Sequence, residues 1–167
     1  MIRIRSRTPR RLRAAQARAL KLIPTTGRVD DLVEAVSAAQ EWPVRLLPFD
    51  LGRGAPTGLW IATGTADYIV YPSGASAAER TAIICHELSH VLLQHQPVGE
   101  TAQLAQMAAM VAPEIDPAVA QRMLMRHGYT QDVEAEAESF ATLLVTQLAR
   151  SAERHSVGTD RVSERLR

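Results

Sequence analysis

The chain has 167 residues, 46% hydrophobic and 22% charged, with a formal net charge of +1. That length fits one domain with a real core, and the composition excludes a disordered or fibrous chain. The single cysteine, Cys85, excludes an intrachain disulfide and fits a reducing compartment. No signal-peptide pattern opens the chain and no apolar run approaches the ~18 residues of a membrane span, so a cytoplasmic protein without membrane contact is expected.

Charge is unevenly spread. Residues 1–29 carry nine Arg or Lys and no acid, whereas the rest carry ten basic and eighteen acidic residues. A basic arm can bind an anionic partner such as nucleic acid, but a solvated N-terminus lying on its own acidic body explains it as well, and direct nucleic-acid contact is not expected. Residues 1–28 read as this arm with one helix, 29–155 as the main domain, and 156–167 as a disordered tail.

Taken in order, residues 1–7 read as disordered. Thr8 and Pro9 suit the cap and first turn of a helix running to about Ile23, with Leu12, Ala15, Ala19 and Leu22 on one face. Pro24 and Gly27 end it. A second helix is predicted from about Val29 to Gln40, with Asp30 and Asp31 in the turn where acids suit the helix dipole and with Leu32, Val33 and Val36 inward. Val44 to Phe49 reads as a short strand. Leu59–Ala62 and Tyr68–Tyr71 read as a hairpin across a Gly-containing loop.

The third helix, Ser76 to Gln94, organises the chain. Ser76 and Glu79 fit a capping box, and Ile83, Ile84, Leu88, Val91 and Leu92 recur at helical spacing. Within it stands His86-Glu87-Leu88-Ser89-His90, an H-E-x-x-H sequence. At about 100° per residue, His86 and His90 project from one face and can share a metal ion, while Glu87 lies beside them where it can act on a water. This is the spacing of zinc peptidases, although a pattern with three fixed positions also arises by chance. His95, nine residues after His86, falls on the opposite side if the helix continues, and is expected as a surface histidine and not a ligand. Cys85 reads as a small buried residue.

Residues 99–113 and Asp116 to about His127 read as two more helices. Thr130 then caps a long helix from Gln131 to about Arg154. Glu134 and Glu138 share the face that continues through Ala141, Val145 and Leu148, so carboxylates point toward a core and a metal is one reason for that. Acids also simply favour helix N-termini. Glu136 lies about 200° from Glu134 and should face solvent.

With both motifs in view, the chain resembles the ImmA/IrrE-type metallo-endopeptidases over roughly residues 29–148. The residues that carry the likeness are His86-Glu87-Leu88-Ser89-His90-Val91-Leu92-Leu93 and the later Glu134-Ala135-Glu136-Ala137-Glu138-Ser139-Phe140-Ala141. Two positions depart from the family's usual residues: Ser89 where Gly is common, and Glu138 where Asp or Asn is.

The resemblance implies an α+β, zincin-like fold, mostly helical, with a small three-stranded sheet on the active-site helix. It implies Zn2+ held by His86, His90 and Glu134, with Glu136 as the alternative third ligand. Glu87 would be the catalytic base, and Glu138 an acceptor that orients one of the histidines. Tyr68, Tyr71, Arg80, His127 and Tyr129 are candidates to stabilise an oxyanion, and the strand at Tyr68–Tyr71 could pair with an extended substrate. The implied activity is regulatory proteolysis of a protein partner, such as a helix-turn-helix repressor. The alternative is a metal-binding module that holds a regulator without cleaving it; a nucleic-acid binder with an incidental H-E-x-x-H is the third possibility.

Overall fold

The computed structural model describes residues 9–49, 57–62, 66–95 and 129–165. Its elements in chain order are α1 (Pro9–Leu20), α2 (Val29–Gln40), β1 (Val44–Phe49), β2 (Leu59–Ala62), β3 (Asp67–Pro72), α3 (Ala77–Leu92) and α4 (Gln131–Arg165). The arrangement is mixed α+β, as expected, with one small sheet against a helical layer. The N-terminal segment and the helices expected over 99–113 and 116–127 lie outside the described residues. Among the described residues no helix is long and apolar enough to cross a membrane.

The sheet has the order β1-β3-β2. β2 and β3 form the expected antiparallel pair, with Trp60 opposite Ile69. β1 runs parallel to β3, with Leu46 opposite Ile69. One row of side chains, Leu46–Ile69–Trp60, thus crosses the sheet and packs into the helical core. Its neighbouring row places Leu59 and Val70, both buried, on the other face. β3 has both edges paired, so the expectation that Tyr68–Tyr71 accepts a substrate strand is corrected: its backbone groups are already used. Among the described residues β2 has a partner on one side alone.

Helices α3 and α4 lie face to face over Ile84, Cys85, Leu88 and Val91 from α3 and Phe140, Ala141, Leu144 and Leu148 from α4. Apolar burial of this kind stabilises by about 1.5–3 kcal/mol per large side chain. α2 brings Leu32, Val33 and Val36 to the same core. Its first turn is tied to α3 by Arg80, whose guanidinium donates to both carboxylate oxygens of Asp30 and lies 5.1 Å from the centre of the Tyr71 ring. That pair holds the Asp30 carboxyl below its ordinary range. Ser37 joins α2 to the sheet, accepting from the Val44 amide at 2.9 Å and donating to the Val33 carbonyl at 2.9 Å.

Gly27, in the turn between α1 and α2, has φ +69, and a Cβ there would fall 2.5 Å from the backbone nitrogen of Ala152. The turn therefore seats directly on α4, and only glycine satisfies both the conformation and the contact. Gly27→Ala is expected to lower the unfolding free energy by about 2–3 kcal/mol, read from urea unfolding curves. A loss under half that size would mean that the turn and α4 do not meet this closely.

α4 is longer than expected. It continues as helix to Arg165, past Ser156, where a disordered tail was predicted. No proline or glycine pair interrupts that stretch, so propagation from a well-packed helix carries on.

Candidate metal centre

Helix α3 begins where the capping box places it. Ser76 Oγ accepts from the Glu79 amide and the Glu79 carboxylate accepts from the Ser76 amide at 2.9 Å. This start fixes the helical phase, and His86 and His90 meet one turn apart with their Nε2 atoms 3.2 Å from each other. Thr130 caps α4, its hydroxyl accepting from the Val133 amide at 3.4 Å. One turn later Glu134 Oε2 lies 3.4 Å from His86 Nε2 and 3.7 Å from His90 Nε2.

These three atoms form a triangle that could hold a metal ion. A tetrahedral ion with bonds of ~2.1 Å needs donors about 3.4 Å apart, so the spacing fits without rearrangement. Two imidazoles and one carboxylate also leave a coordination position open, as in catalytic and not structural sites.

Glu87 is 8% exposed and sits against the start of β2. Burial first, and the negative charge of Glu134 second, push its carboxyl up to about 8, against the pull of the Trp60 backbone N–H. A carboxyl of that basicity is suited to taking a proton near neutral pH.

Gly58, immediately before β2, makes this seat possible. A Cβ there would fall 2.8 Å from Glu87 Oε1 and 2.6 Å from Ile83 Cγ2. No sequence pattern flagged Gly58, because the close approach is created by the strand crossing α3. Gly58→Ala is expected to displace the Glu87 carboxylate while leaving zinc stoichiometry unchanged. The check is zinc content alongside any hydrolytic activity; loss of zinc instead would place the damage at the histidines.

Both histidines of the triangle are held from behind. Glu138 Oε2 lies 3.4 Å from His86 Nδ1, the place expected for an orienting acceptor, although the side chain is 74% exposed. Glu136, the alternative ligand, lies outside the triangle and is not fully solvated: its Oε2 is 3.4 Å from His95 Nε2. His95 is therefore the clearest correction. Expected at the surface, it is 4% exposed, with its Nδ1 3.0 Å from His90 Nδ1. The helix does not continue to residue 95. It ends at Leu92, Gln94 adopts a left-handed conformation at φ 49, and the chain turns back. Pro97, which restricts the residue before it, is the sequence signal that the helical count should have stopped earlier.

Of the oxyanion candidates, Tyr129 is the one at this site among the described residues. Its ring stacks on His90 with centroids 3.9 Å apart. Burial, with Glu87 and Glu134 nearby, holds its phenol above the usual range, so it remains a hydrogen-bond donor at neutral pH. Tyr68 is engaged by Arg45, and Arg80 by Asp30. His127 lies outside the described residues.

Cys85 is buried, and burial pushes its thiol up to about 12, as expected of a packing residue and not a thiolate ligand. Ser89 is also buried and donates to the Cys85 carbonyl at 2.7 Å. Its hydroxyl is satisfied within the helix and leaves the histidines undisturbed.

Comparison with protein-family models, with curated proteins and with solved structures returned no match.

Proposed function

We propose that this protein is a zinc-dependent metallo-endopeptidase of the ImmA/IrrE type with a zincin-like fold. The observation that carries the proposal is the triangle of His86, His90 and Glu134 at tetrahedral spacing with the buried, basic Glu87 beside it. Nitrogen and carboxylate donors with one open position favour zinc among the common ions. The resemblance in the two motifs, and not the geometry, supplies the suggestion of a regulatory protein substrate such as a helix-turn-helix repressor.

Zinc, when bound, supplies Lewis acidity and lowers the pKa of water. Glu87 takes a proton from water and delivers it to the leaving amine. The Tyr129 hydroxyl is available as a donor to the developing oxyanion. The edge of β2 that has no strand partner among the described residues runs past Glu87, where an extended peptide can add as a strand and present its backbone.

The test is to incubate zinc-loaded protein with a library of peptides and with folded repressors, and to read new amino termini by mass spectrometry. Wild type should generate them, and Glu87→Gln should reduce the rate by about 10²- to 10⁴-fold while keeping zinc. If zinc-loaded wild type cleaves nothing that Glu87→Gln leaves intact, the proposal fails. The metal-binding module without cleavage then takes its place.

A further inference from the structure

We infer that His95 and Glu136 are positioning residues: His95, hydrogen-bonded to His90 and itself in polar contact with Glu136, fixes the ring of His90 for metal binding. The inference rests on the metal site proposed above.

The end of α3 is built to deliver His95 to this place. The Gln94 amide donates to the Val91 carbonyl at 2.9 Å and the His95 amide to the His90 carbonyl at 2.9 Å. With Gln94 left-handed, these two bonds make a Schellman motif, which brings the second residue past the helix end onto the last turn. That approach usually joins two apolar side chains. Here it joins two imidazoles, His95 edge-on to His90 with ring centroids 5.0 Å apart. A left-handed conformation is disfavoured for a residue that is not glycine, so the turn is held against a backbone preference.

The direction of each bond follows from the geometry. His90 Nε2 faces His86 and Glu134, so its lone pair belongs to the metal and the ring proton resides on Nδ1. His90 Nδ1–H then donates to His95 Nδ1, which must accept. The His95 proton is left on Nε2, which lies 3.4 Å from Glu136 Oε2. The path thus leads from His90 through one hydrogen bond to His95, and on by a polar contact to a half-exposed carboxylate. The ring cannot turn without leaving its N–H in a site where His90 is 1% exposed. A carboxylate or carbonyl usually accepts directly from a ligand histidine; here a second histidine stands between.

The experiment measures zinc affinity by competition with a chromophoric chelator, with thermal unfolding of the zinc-free proteins as the control. His95→Phe keeps the ring volume and removes the acceptor; it should weaken zinc binding by about 10- to 100-fold. His95→Asn places an amide oxygen near the position of the lost Nδ1 and should restore affinity to within a few-fold of wild type. Glu136→Gln should bind as wild type does, and Glu136→Leu more weakly.

Wild-type affinity in both His95→Phe and Glu136→Leu overturns the inference. So does an equal loss in His95→Phe and His95→Asn that follows their loss of stability, which would make the role mere packing. Should His95→Phe fail to fold, the Glu136 pair decides by the same criterion. A wild type that takes up no zinc overturns the metal site itself, and is thereby distinguished from failure of the support alone.

Discussion

Zinc-free Glu87→Gln is expected to unfold at a higher temperature than zinc-free wild type at pH 9, and at nearly the same temperature at pH 4. The Glu87 carboxyl is pushed up to about 8 in the folded protein from an ordinary value of 4.5. Because the folded value is the higher one, the folded state binds more protons than the unfolded state between those two values. Stability is therefore full below about pH 4 and is lost as pH rises toward and through 8. At 1.36 kcal/mol per unit, the loss reaches about 3–5 kcal/mol once the group is fully ionised. Glutamine keeps the shape, still accepts from the Trp60 N–H, and carries no charge to bury. For a chain of this length the difference corresponds to roughly 10 °C at pH 9. Differential scanning calorimetry with a chelator present reads it directly. Equal midpoints at pH 9 would show that the carboxylate is solvated when charged, and would remove the physical basis for treating it as a base tuned by burial.

Glu134→Ala should abolish zinc binding at concentrations that saturate wild type. If about 10–16 kcal/mol of binding free energy is shared by three protein donors, losing one costs around 4 kcal/mol, near a thousandfold in affinity. The consequence is visible in unfolding as well. Zinc at a hundred times its dissociation constant raises wild-type stability by about 2.7 kcal/mol, and that increment should vanish in the variant. Glu136→Ala should still reach one zinc per chain at saturation, because Glu136 faces His95 and not the triangle. Elemental analysis of both proteins is the check. Full zinc occupancy of Glu134→Ala at wild-type affinity would mean that another donor completes the site. The same substitution removes the second cause of the high Glu87 value, so the loss of stability of zinc-free protein with rising pH should be smaller and should be complete at a lower pH, since Glu87 would then ionise closer to its ordinary range at less cost.

What could be read from the sequence was what local chemistry decides. The capping box at Ser76 and Glu79 fixed the start of α3, and with it the shared face of His86 and His90. The acids of α2 and the hairpin of β2 and β3 are also short-range features, and they stand where they were expected. The order of the sheet was not legible, because β1 joins β3 in parallel through a crossover, and such pairing is set by packing over long separations. His95 was misplaced for a related reason. A helical wheel extrapolates phase, and phase is lost at the one residue, Gln94, that leaves the right-handed region without being glycine. Glu134 was identifiable as a ligand candidate because α4 is regular; the contact of Glu136 with His95 was not, since it depends on where the chain folds back beyond α3. The seat of Glu87 beneath Gly58 depends on two elements that are distant in the chain, and no single stretch encodes it.

The length of α4 has a consequence for cooperativity. Its 35 residues extend about 50 Å at 1.5 Å each, yet among its described side chains the last buried one is Ser151, and residues 152–157 are exposed, with Ala152 lying against Gly27. The first half is stabilised by the whole core, whereas the segment 153–157 has no buried side chain. Helix that short is marginal in water without tertiary support. Residues 153–157 should therefore exchange their amide hydrogens faster than the core-facing half of the same helix.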